Sequence, residues 1–359
     1  MNDAAHPLAS QPLATARALP AEYYCAPHMV ALDRRAVFDR SWQLVGHVAR
    51  ISGSGDHLVT EIAGLPVIVL RDEAGQVRAF HNVCRHRAGP LATADGCGAR
   101  HLRCRYHGWT YGLDGVLRSA PEMQDAEGFE PASIRLPEMR VQVWQGLIFV
   151  AGGTAPPFAE FVEGIDQRLG ERGFDRYRLV RRVSYELACN WKVYVDNYLE
   201  GYHVPHIHPG LNGLLDYRSY VSEVHRWYSL QYSPLESEDT LYGSGEALYW
   251  FLWPNTMLNC LPGRMQTNRV QPLGVDRCIV EFAYYYVDAV EDPDEAARRD
   301  RDERFSDEVQ EEDRTICEQV QRGLASGSYR PGRLNPLRES AVHHFQELLR
   351  QAYREHDAG

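Results

Sequence analysis

CRHRAGPL (84–91) and CRYHGW (104–109) are the stretches on which the reading of this chain turns. Cys84 and His86 stand two apart, seventeen residues follow, and then Cys104 and His107 stand three apart. Two thiolates and two imidazoles in the order C-x-H … C-x-x-H suit a [2Fe–2S] cluster, with both cysteines on one iron and both histidines on the other. Replacing two anionic thiolates by neutral imidazoles lowers the negative charge on the cluster and raises its reduction potential. Zinc sites also pair Cys with His, but usually as C-x2–4-C and H-x3–5-H. The alternation seen here, followed by HGW, favours the iron–sulfur cluster, and with it a one-electron relay.

Outward from these loops, WQLVGHV, HLVTEIAGLPVIVL, QVRAFHNV and VQVWQGLIFV are short β-rich runs. Turn signals such as SGSGD, DEAG and LDG separate them. A small antiparallel domain over residues 41–150 is expected, preceded by an N-terminal arm (1–40). AGGTAPPF (151–158) reads as a linker into a second domain covering 151–359. There NWKVYVDNYLEGYH (190–203) reads as a helix, and YWFLWPNTMLN, MQTNRVQPLG and RCIVEFAYYYVD read as strands of a second sheet. A long charged helix is expected from Asp292 to Leu324, largely solvated, and SAVHHFQELLRQAYREH (340–356) is a C-terminal helix. The fold class is therefore α+β.

The second chemical signal is CNWKVYVDNYLEGYHVPHIHPG (189–210). Glu200 and His203, three apart, share a face if this stretch is helical. Pro205 is expected to end or kink the helix, so that His203 and His208 converge. Two histidines and one carboxylate on one side of a metal form the facial triad of non-haem Fe(II) oxygenases, which leaves positions open for O2. His206 competes with His208 for this role.

Composition narrows the field. The formal net charge of −11 argues against a nucleic-acid partner. No run approaches the roughly 18 apolar residues of a membrane-spanning helix, and the first twenty residues read as a flexible or loosely docked arm rather than a signal peptide. The eight cysteines are scattered unlike a disulfide framework, which suits the reducing cytoplasm. Lys192 is the only lysine.

Taken together, CRHR…CRYHGW and NWK…DNYLEGYHVPHIHP resemble the cluster and iron motifs of the α-subunits of Rieske-type non-haem iron oxygenases, over nearly all of residues 40–350. The resemblance implies an all-β Rieske domain and a catalytic domain whose antiparallel sheet is surrounded by helices in a helix-grip-like arrangement. It implies that Cys84, His86, Cys104 and His107 hold the cluster, and that His203 and His208 bind a mononuclear Fe(II). The third ligand would be Asp313, with Glu311, Glu312 and Glu318 as competitors. Glu200 would be the bridging acid between a cluster histidine, His107, of one subunit and His203 of its neighbour in a homotrimer. Electrons would come from a separate NAD(P)H-dependent flavin reductase, with or without a ferredoxin-type cluster.

WPNTMLN, QTNRVQPLG, EEDRTICEQVQRGL and SYRPGRLNPLRES look most like the branch that oxidises choline, glycine betaine and carnitine, whereas MLNCLPGRMQTN (257–268) departs from it. A trimethylammonium group is recognised by aromatic faces. Candidates are Tyr194, Tyr198, Tyr202, Tyr249, Trp250, Phe251, Trp253 and Tyr284 to Tyr286, with Arg264 or Arg269 available for a carboxylate if not simply on the surface. The alternatives are an aromatic ring-hydroxylating dioxygenase, an aromatic O- or N-demethylase, and a Rieske electron carrier without catalysis.

Overall fold

The computed structural model describes residues 7–170, 172–174, 177–215, 217–235, 241–287 and 293–357. It divides into two compact units, Phe38–Phe158 and Met1–Val37 with Ala159–Gly359.

The smaller unit is built from β1 (Gln43–His47), β2 (His57–Ile62), β3 (Leu65–Arg71), β4 (Val77–His81), β5 (Leu102–Arg103), β6 (Thr110–Tyr111), β7 (Leu117–Ser119), β8 (Glu138–Trp144) and β9 (Leu147–Ala151). A six-stranded sheet runs β1-β9-β8-β4-β3-β2, and a three-stranded sheet runs β5-β6-β7. Two apolar runs of the sequence fold back on themselves. Ile62 pairs with Leu65 and Trp144 with Leu147, across two-residue turns in which Ala63, Gly64, Gln145 and Gly146 all have positive φ. That is the primed hairpin geometry whose twist matches the strands. Ile68, Leu70, Phe80, Leu102, Tyr111 and Leu117 form a core into which Cys84 and Cys104 are packed.

The larger unit begins with α1 (Glu22–Cys25) and α2 (Met29–Ala36), followed after the smaller unit by α3 (Phe158–Phe161) and α4 (Ile165–Leu169). Its sheet comprises β10 (Arg178–Leu187), β11 (Val221–Val224), β12 (Tyr228–Leu235), β13 (Gly245–Leu252), β14 (Thr256–Leu261), β15 (Arg264–Pro272) and β16 (Cys278–Tyr286), in the order β10-β16-β15-β14-β13-β12-β11. Every neighbouring pair is antiparallel. Helices α5 (Trp191–Tyr198), α6 (Val204–Ile207), α7 (Pro209–Asn212), α8 (Pro293–Ala325) and α9 (Ser340–Asp357) complete it.

Three expectations are corrected. The N-terminal segment from Pro7 onward is not a loose arm. Leu8, Ala16, Leu19 and Met29 are buried, each large apolar side chain contributing about 1.5–3 kcal/mol. Gln346 accepts from the Leu19 backbone N–H, and Arg350 donates to the carbonyl of Arg17, so α9 holds this segment. Residues 1–6 lie outside the described residues, as does Asp292 of the expected helix.

The helix expected over 190–203 stops at Tyr198, which leaves Glu200 to His203 on a bend. Asn190 caps its start by accepting from the Lys192 N–H at 3.0 Å. Pro205 does not end that helix; it opens α6, where its fixed φ suits a first turn and its missing N–H is no loss. Finally, the charged helix α8 is not simply a solvated face. It buries Asp302, Gln310 and Gln321, polar groups that must find partners inside.

Lys192 has a structural place. It is fully buried and forms an ion pair with Asp33 of α2. The same carboxylate accepts from Trp191 Nε1 at 2.8 Å and from Tyr353 OH at 2.5 Å. One acid thus ties together α2, α5 and α9.

Candidate metal centres

In the smaller unit the two motif loops share one turn geometry. The Cys84 N–H donates to the Gly89 carbonyl and the Ala88 N–H to the Cys84 carbonyl. The Cys104 N–H donates to the Trp109 carbonyl and the Gly108 N–H to the Cys104 carbonyl. Ala88 and Gly108, equivalent in the two turns, both have positive φ. The loops approach closely, since a Cβ at Gly89 would lie 2.9 Å from Cys104 Sγ.

Both thiols are buried and both imidazoles are exposed. His86 and His107 have ring centroids 4.6 Å apart, and His86 stacks on Trp109 at 4.7 Å. Tyr111 OH lies 3.3 Å from Cys84 Sγ and accepts from the Arg85 N–H. The donor set fits a cluster with two sulfur ligands inside and two nitrogen ligands at the surface. Cys97 is exposed, whereas Cys84 and Cys104 are buried.

In the larger unit, ligand atoms of His203, His208 and Asp313 lie within 4.8 Å of one another. His203 Nε2 is 3.1 Å from His208 Nε2, which is 3.0 Å from Asp313 Oδ1. Donors on a metal with bonds of roughly 2.1 Å sit roughly 3 Å apart, so three acceptor-type atoms are gathered where a cation would satisfy them. The far nitrogens are engaged by carboxylates: His203 Nδ1 is 2.7 Å from Glu200 Oε1, and His208 Nδ1 is 2.7 Å from Glu312 Oε2. This pattern fixes the tautomer that leaves Nε2 free for a metal. Asn197 donates to Asp313 Oδ1 at 2.6 Å. Burial opposes charge on His208, but Asp313 and Glu312 outweigh it and raise its pKa, so the site attracts positive charge.

Among the competitors for the third position, Glu312 faces the wrong nitrogen, Glu311 pairs with Arg314, and Glu318 accepts from the Ala188 N–H. His206 is exposed. Successive residues on a helix point about 100° apart, which is how Asp313 and Glu312 reach opposite nitrogens of one ring.

A cavity of about 110 Å³ opens over the triad, its wall including Tyr194, Tyr198, Tyr220, Tyr242, Tyr249 and Phe282. Of the aromatic candidates, Tyr194, Tyr198 and Tyr249 line it; Tyr202 is exposed, while Trp250, Phe251, Trp253 and Tyr284 to Tyr286 are buried and do not line it. Tyr220, Tyr242 and Phe282 were not legible as lining residues: Tyr220 precedes β11 and Tyr242 lies in a turn before β13, where no periodicity applies, and for Phe282 on β16 alternation does not reveal which face meets a cavity. Neither arginine is on the surface: Arg264 lines the cavity, and Arg269 pairs with Glu281 at 3.5 Å. Asn197, Glu200 and His203 also line a second, larger hollow, mostly apolar, with Val193, Ile316 and Val320.

A β-domain with two buried thiols and two exposed imidazoles, joined in one chain to a unit whose helices and bend carry a two-histidine, one-carboxylate site beside an antiparallel sheet, defines an iron–sulfur oxygenase. Residues 41–139 match the Rieske [2Fe-2S] domain, and residues 174–355 match the ring hydroxylating alpha subunit (catalytic domain). The chain belongs to the Rieske-type ring-hydroxylating oxygenase α-subunits. It is an oxidoreductase that incorporates oxygen, with a [2Fe–2S] cluster and a mononuclear iron as its cofactors.

It is 37% identical to a chloroplastic choline monooxygenase of Arabidopsis thaliana over 355 residues, covering 94% of this chain and 83% of that protein. It is 29% identical to the carnitine monooxygenase oxygenase subunit of Escherichia coli (strain K12), covering 94% of each. The quaternary ammonium Rieske monooxygenase CntA, solved with L-carnitine, superposes with a TM-score of 0.84 at 26% identity, covering 96% of this chain and 99% of that one. A Rhodococcus naphthalene 1,2-dioxygenase shares the fold, with a TM-score of 0.74 at 19% identity, covering 93% of this chain and 94% of that one.

Proposed function

We propose that this chain is the oxygenase component of a multicomponent system that hydroxylates a small quaternary ammonium compound. The observation that carries the substrate class is the wall of the cavity that opens over the triad, which six aromatic rings line. A trimethylammonium group has no N–H to donate, and aromatic faces are its natural surface. The likeness to choline and carnitine monooxygenases supports the same class.

In this reading Cys84, His86, Cys104 and His107 hold the cluster, and His203, His208 and Asp313 hold the iron. The metals supply electron transfer and O2 activation; the balance is C–H + O2 + 2 e⁻ + 2 H⁺ → C–OH + H2O. The polypeptide binds, orients and insulates. Glu200 and Glu312 keep both imidazoles in the metal-binding tautomer, and Asn197 holds the Asp313 carboxylate in place. Electrons come singly from a separate NAD(P)H-dependent flavin reductase, with or without a ferredoxin-type cluster.

The working assembly is a homotrimer in which the partner subunit's His107 meets Glu200. Support for this comes from the position of Glu200, which lines both the cavity and the apolar hollow outside it. A CntA structure described as revealing inter-subunit electron transfer points the same way. We place the protein in the cytoplasm, where its thiols stay reduced and NAD(P)H is supplied.

The test is single turnover. Iron-loaded protein is reduced without oxygen, then mixed with O2 beside choline, glycine betaine, carnitine, benzoate or phthalate. Reoxidation of the cluster gated by an ammonium compound, with aldehyde release, is expected. Gating only by an aromatic acid would overturn the substrate class.

A further inference from the structure

Arg264 occupies the first position of β15, directly after the β14–β15 turn. It is 4% exposed and lines the cavity above the triad. Its guanidinium forms an ion pair with Asp302 of α8 and lies over the ring of Tyr242, 5.5 Å from the centroid. Asp302 also accepts from Tyr286 OH at 3.2 Å. Burial works against the charge of Arg264, but Asp302 and the surrounding tyrosines outweigh it and hold the group protonated. Yet its Nε finds no acceptor among the described residues. A buried guanidinium N–H left unpaired is costly, and this one belongs to a side chain on the wall of a substrate-sized space.

Helix α8 supplies the scale. Asp313, Gln310, Ser306 and Asp302 succeed one another at steps of three and four residues, so they share one face. The first three line the cavity, and the fourth holds Arg264. Eleven residues at a rise of about 1.5 Å put Asp302 roughly 16 Å along the axis from the metal ligand Asp313.

The cavity therefore has two distinct ends. At the Asp313 end, Tyr194 donates to Gln310, and Tyr220 packs on the bend beside Glu200, where a Cβ at Gly201 would lie 2.9 Å from its ring. That end is acidic and aromatic. At the other end stand Arg264 and Tyr242. Gln310 Nε2 is a further donor on the wall with no partner among the described residues, and the same holds of Tyr249 OH.

A cavity with carboxylates and aromatic faces at one end and a buried, partly unsatisfied guanidinium at the other is complementary to a dipolar ligand. We propose that Arg264 binds the carboxylate of the substrate, and that the substrate is a zwitterion, a trimethylammonium carboxylate of the betaine or carnitine type, rather than an uncharged-tail cation such as choline. The ammonium group faces the tyrosines near the iron ligands, and the carboxylate completes the Nε hydrogen bond. Asp302 and Tyr242 keep the guanidinium in position. This specificity assignment rests on the quaternary ammonium reading above.

The test compares matched substrates in the intact, metal-loaded protein with its reductant. Glycine betaine and carnitine are set against their methyl esters and against choline, with benzoate as a further arm. A charge-assisted hydrogen bond is worth about 1.5–3 kcal/mol, or roughly 10- to 100-fold. The acids should therefore exceed their esters by at least about tenfold in kcat/KM, chiefly through KM. In the double variant R264Q/D302N, which removes both buried charges together, the acid-over-ester ratio should fall toward one while the cluster spectrum and iron content are retained.

If that variant does not fold, the ester comparison in the unaltered protein still decides. Choline or the esters serving as well as the acids would overturn the anchor while leaving the quaternary ammonium reading intact. An undiminished ratio in a folded double variant would overturn it too. Turnover of benzoate alone would overturn the quaternary ammonium reading, and the zwitterion with it.

Discussion

Glu312 lies against His208, its Oε2 2.7 Å from Nδ1, on the opposite side of the ring from Asp313. Two consecutive acids of α8 thus grip one imidazole by its two nitrogens. Only one of them can be a metal ligand; the other orients the ring and strengthens it as a donor. Glu312→Ala should weaken iron binding by roughly 10- to 100-fold, and Glu312→Gln should recover part of that loss by keeping an acceptor at Nδ1. Iron titration of the two variants, with the cluster absorption as a control, checks this. Equal iron affinity in Glu312→Ala and the unaltered protein would remove Glu312 from the site.

The triad itself predicts a clean separation of the two metals. His203→Ala, His208→Ala and Asp313→Ala should each abolish iron binding in the larger unit and substrate turnover, while the visible spectrum of the cluster persists. Glu311→Ala and Glu318→Ala should keep iron. Metal analysis of the purified variants gives the answer directly; iron loss in Glu318→Ala alongside retention in Asp313→Ala would reassign the third ligand.

In the proposed cluster site, the imidazoles of His86 and His107 are exposed and the sulfurs of Cys84 and Cys104 are buried. His86→Cys restores an anionic ligand. The midpoint potential should drop by on the order of 100 mV or more, read by spectroelectrochemistry. A potential unchanged by this substitution would remove His86 from the ligand set.

The Asp33–Lys192 pair is buried at 3% and 0% exposure. Removing one partner strands the other charge, at a cost of about 3–5 kcal/mol. Lys192→Met should therefore destabilise the protein strongly, and Asp33→Asn less so, because the amide still meets Trp191 and Tyr353. Denaturant unfolding would show a lowered midpoint for Lys192→Met; an unshifted midpoint would mean that the pair adds nothing.

Asp196 sits beside this network. Burial lifts its carboxyl to about 7, against hydrogen bonds from Tyr24 and Gln346. Between its ordinary value near 3.8 and about 7, the folded state holds a proton that the unfolded chain has released. The contribution of this group to stability is full below that window and is lost as pH rises through it. Asp196→Asn should flatten this part of the stability–pH curve. Thermal midpoints measured from pH 4 to pH 8 test it, and identical slopes in both proteins would count against the assignment.

How much was readable before the tertiary structure differed from site to site. The two motif loops were legible, because each sets its Cys and His within a short segment whose turn is written locally: Cys84 with Gly89, Cys104 with Gly108. The runs HLVTEIAGLPVIVL and VQVWQGLIFV were legible as strands but not as hairpins, since Ala63–Gly64 and Gln145–Gly146 are brief interruptions of apolar sequence. His203 and His208 were legible by spacing, though the supporting backbone is a bend and a new helix rather than one kinked helix. Periodicity extends a helix wherever side chains permit it, and cannot report that Leu199 caps one.

By itself, then, the order of residues determined the cofactor chemistry and the two-part α+β organisation, because Cys and His donors at fixed short spacing leave few alternatives. Tertiary structure alone decided that Asp313 meets Nε2 of His208 while Glu312 meets its Nδ1, that Tyr220 and Tyr242 join the cavity wall, and that Arg264 is buried against Asp302. Those relationships join residues from 38 to more than 100 positions apart. No local pattern encodes them; they depend on how α8 is laid along the sheet, which is settled by burial and by the satisfaction of buried polar groups over the whole unit.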